Sequence, residues 1–415
     1  MSNTGRLLWL VIAGALLFHI LAVLTPAWLQ ANKEKHGRDF ASFHYAVAVG
    51  LDGGDPYDTA ELGRESRKDG TRKAVYPYFY PPTFLLIMSW AKPLSLKTAY
   101  QVWFWLDELA LLLAFLALWR WWRRLGVLVP ILLVLILAFL SNIPNNHLMG
   151  QANMPVLALV VLALWLDDGH REKQQTWRGI GGGAAMGIAC MMKMSPALFV
   201  AWWLLRRRWV AAGAACGTAV VATLITLPFV GLEVQQTFYL HVLPGFASGD
   251  YNGLNVPLNL FGNHSIPNVT SGIFGPGTLA KVSASAISLG LLAAMAFFFR
   301  KEPTDHLARW GQLSAVSAAM LLVPAYTYEH HMIWLAPAAV ISVIALAQGR
   351  LSQWWAVPIG LALAAWCFEL AELKQLWMFL KPRAYPLSVI VPELKFTALL
   401  VLFASAFATG VSKPR

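Results

Sequence analysis

The chain has 415 residues, of which 58% are hydrophobic and 13% charged; its mean hydropathy of +0.55 excludes an ordinary soluble protein. A formal charge of +11 could suit nucleic acid, but the Lys and Arg fall in short clusters between apolar runs. That is the pattern of cytoplasmic loops in a membrane protein, so no nucleic-acid partner is expected.

The first apolar run, 7–29, is long enough to span, too long for a signal-peptide core and without a small-residue cleavage site. It is expected to stay as a helix, with Arg6 holding the N-terminus in the cytoplasm. Further spans are expected over 98–119, 126–142, 151–166, 209–230, 277–299, 311–326, 332–348, 353–370 and 396–411. Three apolar pieces, 83–90, 179–192 and 196–205, are too short to cross alone. No polar stretch is long enough for a separate soluble domain. Residues 1–415 therefore read as a single integral-membrane unit, an all-α polytopic membrane protein with about 10–12 transmembrane helices. A long first extracytoplasmic loop at 30–97 holds juxtamembrane helices, and a second large one lies at 231–276. Cys190, Cys216 and Cys367 all sit inside apolar runs without metal-ligand spacing, and read as small core hydrophobes.

The distribution of positive charge orients these spans. With the N-terminus inside, Arg120, Arg123 and Arg124, then Arg171, Lys173 and Arg178, then Arg206, Arg207 and Arg208, then Arg300, Lys301 and Arg309 fall inside, as do Arg350, Lys413 and Arg415. The opposite segments 143–150, 231–276 and 327–331 contain no Lys or Arg. This arrangement needs 179–192 and 196–205 to form an out-and-back hairpin that turns at Lys193-Met194-Ser195-Pro196. It also needs 83–90 to remain at the outer face, which irregular backbone tolerates when buried in protein. The first outer loop carries ten Lys/Arg against eight Asp/Glu, near the length at which the charge rule weakens.

Sorted by side, the unusual residues gather on the outer half. They are Asp39, Asp55, the aromatic run 76–82, His147, Gly150-Gln151-Ala152-Asn153, Lys193, the 250–264 loop and Tyr328-Glu329-His330-His331. A transporter would place ionisable groups near the midplane with access to both sides. A one-sided cluster suggests chemistry at the outer leaflet.

In these residues the sequence resembles the bacterial polyprenol-phosphate-sugar-dependent glycosyltransferases of the GT-C type, and more narrowly glycosyltransferase family 87 (the DUF2029 family). The matching features are Asp39-Phe40 with an aromatic at Phe43 or Tyr45, Gly54-Asp55-Pro56-Tyr57, Tyr80-Pro81-Pro82, Gly150-Gln151-Ala152-Asn153, Lys193-Met194-Ser195-Pro196 before a basic Arg run, and a late His-rich turn followed by Trp334 and Pro337. The resemblance implies a GT-C-like helical bundle in the bacterial cytoplasmic membrane with an extracytoplasmic site. It implies a polyprenyl-phosphate sugar donor, a glycolipid or glycan acceptor, inversion at the anomeric carbon, and a base that maps to Asp39. Tyr328-Glu329-His330-His331 departs from the Ser/Trp-His type of pattern, so both histidines stay candidates. No cofactor and no metal-ligand set is indicated.

Breaking the donor's sugar–phosphate link leaves a lipid phosphomonoester with one more negative charge while the anomeric carbon becomes oxocarbenium-like. The site then needs a base for the acceptor hydroxyl and a cation for the phosphate. Asp39 and Asp55 compete for the first role. Asp55 stands before Pro56 in a Gly-rich turn, where Asp often caps its own backbone; the alternatives for Asp39 are an ion pair with Arg38 or a helix N-cap. For the phosphate the candidates are Lys193, His330 and His331, since a Lys at a Pro-broken hairpin in an apolar region is costly without an anionic partner. Sugar or acceptor contacts are assigned to Asp55, Tyr57, Tyr80, Gln151, Asn153 and Glu329. Gln151 and Asn153 can equally be helix-packing glue, and the Tyr76, Tyr78, Phe79 and Tyr80 cluster an interfacial belt. His147 reads as structural, and Asp107 and Glu108 are expected to line the cavity. The sequon at Asn268 matters only in a host that glycosylates. The rivals are a lipid-linked sugar flippase and a ligase using a diphosphate-linked donor.

Overall fold

The computed structural model describes residues 3–33, 37–70, 75–248, 250, 256–303, 305–384 and 389–411. The tail charges Lys413 and Arg415, and residues 251–255 of the loop expected at 231–276, lie outside the described residues. Among the described residues every regular element is helical and there is no strand, as expected of an all-α polytopic membrane protein.

Among the described residues six helices are long and apolar enough to cross a membrane: Trp9–Ala31, Leu96–Leu125, Trp209–Phe246, Thr278–Phe299, Glu329–Ala347 and Val391–Val411. Two bent pairs raise the number to eight, Leu128–Phe139 with Asn142–Met149 at 56° and Gln353–Cys367 with Leu370–Leu380 at 100°. The windows expected at 151–166 and 311–326 are helical too, as Asn153–Lys173 and His306–Leu322. The first ends in charged turns and the second has 17 residues, so neither is a simple apolar span.

The largest departure from the expected boundaries is at 230. Pro228 and Gly231 suggest an end there, but the helix Trp209–Thr237 continues through a kink in which Gly231 takes φ 81° and ψ 164°. It then passes through a π-helical turn, Phe238–Val242, into Leu243–Ser248. Pro228 lacks an amide and Gly231 lacks a Cβ, so the ladder breaks there; the apolar residues beyond it (Leu232, Val234, Phe238, Leu240) take the helix up again.

By contacts the chain divides into two compact units: one of Met1–Thr25, Trp119–Asn145 and Pro257–Arg415, the other of Pro26–Leu118 and Asn146–Val256. In the second unit, Arg38–Leu51 is a core helix, buried over nearly all of Phe40–Gly50. Thr59–Lys68 follows, capped by Asp58, whose carboxylate accepts from the Ala60 amide at 2.7 Å. Pro82–Ile87 fills the 83–90 stretch as a short buried piece. The glycine-rich helix Thr176–Met192 presses closely on Trp209–Thr237. A Cβ on Gly187 would meet the Ala215 carbonyl at 2.6 Å, and one on Gly183 would meet that of Ala211. Small residues allow this approach, which holds helices together where lipid offers no hydrophobic drive.

In the first unit, His306–Leu322 is buried along its length against Leu394–Val411. A Cβ on Gly311 would meet the Gly410 amide at 2.7 Å. His19, buried in the first helix, donates from Nδ1 to the Leu137 carbonyl at 2.8 Å, which satisfies a polar group that lipid could not.

Candidate functional site

The turn Gly150-Gln151-Ala152-Asn153 joins Asn142–Met149 to Asn153–Lys173, and its two amides point to different charged partners. Gln151 Nε2 donates to Asp39 Oδ2 at 2.7 Å, and Gln151 Oε1 accepts from the Tyr80 hydroxyl at 2.6 Å. Asn153 Oδ1 accepts from Lys193 Nζ at 2.6 Å, and the same ammonium stands 6.0 Å from the centre of the Tyr80 ring. Asp39, Tyr80, Gln151, Asn153 and Lys193, distant in sequence, are thus brought together in one unit. Gln151 and Asn153 are buried, whereas Asp39, Tyr80 and Lys193 are half-buried.

Local structure aims each group. Gly37, at φ 71°, starts the helix Arg38–Leu51, so that Asp39 falls in its first turn, where the helix dipole favours a carboxylate. Among the described residues its carboxylate pairs with neither Arg38 nor its own helix end, the two alternatives open from sequence; Oδ2 goes to Gln151. Burial raises the Asp39 pKa above the ordinary carboxylate value, against the Gln151 bond and the charges of Lys193 and Arg38. Lys193 ends the helix Thr176–Met192 in an extended conformation. Burial lowers its ammonium to about 7, and Asp39 opposes that shift. Burial and then the Asp39 charge push the Tyr80 phenol well up, so it stays a donor to Gln151.

Gly150 sets the turn. It takes φ 69°, and a Cβ there would meet Phe40 Cβ at 2.6 Å and Tyr100 Cε2 at 3.1 Å. Gly150→Ala is expected to lower stability by roughly 1–3 kcal/mol through strain and overpacking. A fall in the detergent-solubilised melting temperature checks this.

Behind the turn lies a polar cluster. His147 stands 3.3 Å from Asp107 Oδ2 through Nδ1 and 3.0 Å from Glu108 Oε2 through Nε2. Asn146 Nδ2 donates to Asp107 Oδ2 at 2.6 Å, and Asn146 Oδ1 accepts from Asn153 Nδ2 at 2.9 Å. Asp107 is 0% and Glu108 4% exposed, so they do not line an open cavity as expected from sequence; they face His147 because two carboxylates in a membrane helix need a partner. Asn146 carries no motif, and the Asn145-Asn146-His147 run was its only signal.

Asp55 accepts from the Tyr57 amide at 2.8 Å, the self-capping turn that sequence offered as its alternative, and its own amide donates to Glu61 at 3.0 Å. The buried Tyr57 donates its hydroxyl to the Tyr80 carbonyl at 2.8 Å, which ties that turn to the unit holding Asp39. Of the aromatic run, Tyr76 is exposed at 44% and Tyr78 is buried at 1%, while Tyr80 packs against Phe43 with ring centroids 4.6 Å apart. A surface belt fits only the first of these.

Glu329, His330 and His331 belong to the other unit. Glu329 Oε1 is engaged by Lys395 Nζ, by Asn142 Nδ2 at 2.5 Å and by Ser141 Oγ at 3.1 Å, and Glu329 Oε2 lies 3.5 Å from His264 Nε2. Burial holds the His264 imidazole below its ordinary value, with Glu329 opposing. His331 Nδ1 accepts from the Tyr328 amide at 3.1 Å, and its ring packs edge-on against His330 at 4.3 Å. Sequence reasoning passed over Lys395, whose signal is a lone cation at the head of an apolar helix. Lys395→Ala would leave the Glu329 charge buried without its ammonium, an expected loss of roughly 3–5 kcal/mol, checked by thermal unfolding. Asn268 of the sequon is buried, and its Oδ1 accepts from the Leu260 amide at 3.0 Å.

Comparison with known proteins places the chain. A polyprenol-phosphate-mannose-dependent alpha-(1-2)-phosphatidylinositol mannoside mannosyltransferase of Mycolicibacterium smegmatis is 25% identical over 249 residues, 59% of this chain and 54% of that protein. Its counterpart of the same description in Mycobacterium tuberculosis is 24% identical over 262 residues, 58% and 56% of the two chains. The chain therefore matches little more than half the length of either. A polyprenol-phosphate-mannose-dependent alpha-(1-2)-phosphatidylinositol pentamannoside mannosyltransferase of M. smegmatis is 25% identical over 385 residues, 88% of this chain and 84% of that protein. No solved structure matches. The family model for Glycosyltransferase family 87 matches residues 78–325, more than half of the sequence and including Tyr80, Gln151, Asn153 and Lys193. The chain belongs to glycosyltransferase family 87.

Proposed function

We propose that the protein is an inverting glycosyltransferase of the bacterial cytoplasmic membrane. It moves a hexose, with mannose the expected one, from a polyprenyl-phosphate donor to a glycolipid or glycan acceptor at the extracytoplasmic face. Family membership and the activities named for the three relatives support the donor and the sugar. The observation that carries the residue roles is the Gly150–Asn153 turn, which holds a half-buried carboxylate at one end and a half-buried ammonium at the other.

In this reading Asp39 Oδ1, which takes no hydrogen bond among the described residues, accepts the proton of the acceptor hydroxyl. The hydroxyl oxygen forms a bond to the anomeric carbon, and the bond from that carbon to the phosphate oxygen breaks with its electron pair leaving on the phosphate. Lys193 meets the added negative charge of the lipid monophosphate, and a cation aimed at charge that grows in the transition state is where binding accelerates a reaction. Tyr80 and Gln151 hold Asp39 in place.

The purified protein, assayed with a panel of polyprenyl-phosphate sugars and extracted lipid acceptors, tests the proposal. Transfer from polyprenyl-phosphate mannose to a glycolipid is the expected outcome. Transfer only from nucleotide or diphosphate-linked sugars would overturn the donor assignment, and movement of intact lipid-linked sugar across vesicles without transfer would overturn the enzyme assignment.

A further inference from the structure

The chain Asp107, Asn146, Asn153, Lys193 has a direction. Asp107 Oδ2, as a carboxylate, can only accept, and Lys193 Nζ, as an ammonium, can only donate. Two primary amides stand between them, and each has one end of each kind. Asn146 Nδ2 donates to Asp107 at 2.6 Å, Asn153 Nδ2 donates to Asn146 Oδ1 at 2.9 Å, and Lys193 Nζ donates to Asn153 Oδ1 at 2.6 Å. Reversing either amide would set donor against donor at one end and oxygen against oxygen at the other. The terminal groups therefore fix both amide orientations, and hydrogen bonds aligned in series polarise one another. Asn146 and Asn153 are both 0% exposed. Helices that need only to pack can do so with small or apolar residues, as Gly183 and Gly187 do elsewhere in this unit; a carboxylate and two amides in series are an expensive substitute.

We propose that Asn146, oriented by Asp107, is a positioning residue that acts through Asn153 to fix the place of the Lys193 ammonium. The proposal rests on Lys193 contacting the donor phosphate as described above, and adds that this contact depends on a buried amide that touches no substrate. His147 stands beside the same carboxylate oxygen, its Nδ1 3.3 Å from Asp107 Oδ2.

The test is a double-mutant cycle on the full-length protein with polyprenyl-phosphate mannose as the donor. Asn146→Leu, with the same branching and number of side-chain heavy atoms but no polar ones, is expected to lower transfer roughly 10- to 100-fold, raise KM for the donor and leave KM for the acceptor unchanged. In a Lys193→Ala background the same change is expected to have no further effect, because the group it positions is gone. Multiplicative losses in the double variant would overturn the proposal while leaving Lys193 as the phosphate ligand. Full activity of Lys193→Ala alone would overturn both. Should Asn146→Leu fail to fold, Asn153→Ala, one step nearer the ammonium, takes its place in the cycle: no added loss beside Lys193→Ala supports the proposal, and multiplicative losses overturn it.

Discussion

Asp39→Asn is expected to abolish sugar transfer, by roughly 1,000-fold or more if proton removal from the acceptor hydroxyl is the lost function, while the protein still folds. The asparagine oxygen can accept the Gln151 amide that now reaches Oδ2 at 2.7 Å, so the turn keeps its geometry. Burial already disfavours the ionised form of Asp39. A group whose acid pKa is raised in the fold opposes folding once it is ionised, so removing the charge should not lower the melting temperature. The same shift predicts the acid limb of the rate. The base works only when ionised, and activity should fall at a higher pH than an ordinary carboxylate would give. Wild-type rates in Asp39→Asn, or an acid limb unchanged in Asp39→Glu, would refute the assignment.

Lys193→Gln should show the second-largest loss, roughly 100- to 1,000-fold, the range for removing one preorganised donor from developing charge. Its ammonium is held down to about 7 by burial. In the free enzyme the cation is therefore lost as pH rises through neutrality, and kcat/KM for the donor should fall on that side. Together with Asp39 this gives a bell-shaped profile. The Gln variant should lose the alkaline limb and keep the acid one. A profile still falling on both sides in Lys193→Gln would assign that limb to another group.

Much of this protein can be read from its sequence because the bilayer constrains it so strongly. Apolar runs of sufficient length had to be helices, and they are. The residues worth following, Asp39, Tyr80, Gln151, Asn153 and Lys193, stood out as polar groups placed where an apolar chain has no cheap use for them. What could not be read was their partners. Nothing local says that Gln151 turns to Asp39 while Asn153, two residues on, turns to Lys193; that depends on how three helices meet. Asn146 was hidden among neighbouring polar residues. Lys395 stands at the edge of the 396–411 window, where a flanking cation is ordinary, and its burial beside Glu329 is visible only in three dimensions. At Gly231 the local rule was sound, since the helix does break there, but breaking and ending are different outcomes and the residues beyond decide which.

The pairing of Glu329 with Lys395 also bears on biogenesis. The two residues lie 66 positions apart, so during synthesis the carboxylate emerges and enters the bilayer well before the ammonium that neutralises it. Until the helix Leu394–Val411 leaves the ribosome, the earlier segment lacks the ammonium that pairs with its carboxylate. Charge pairing in this half of the protein thus waits on the helix Leu394–Val411.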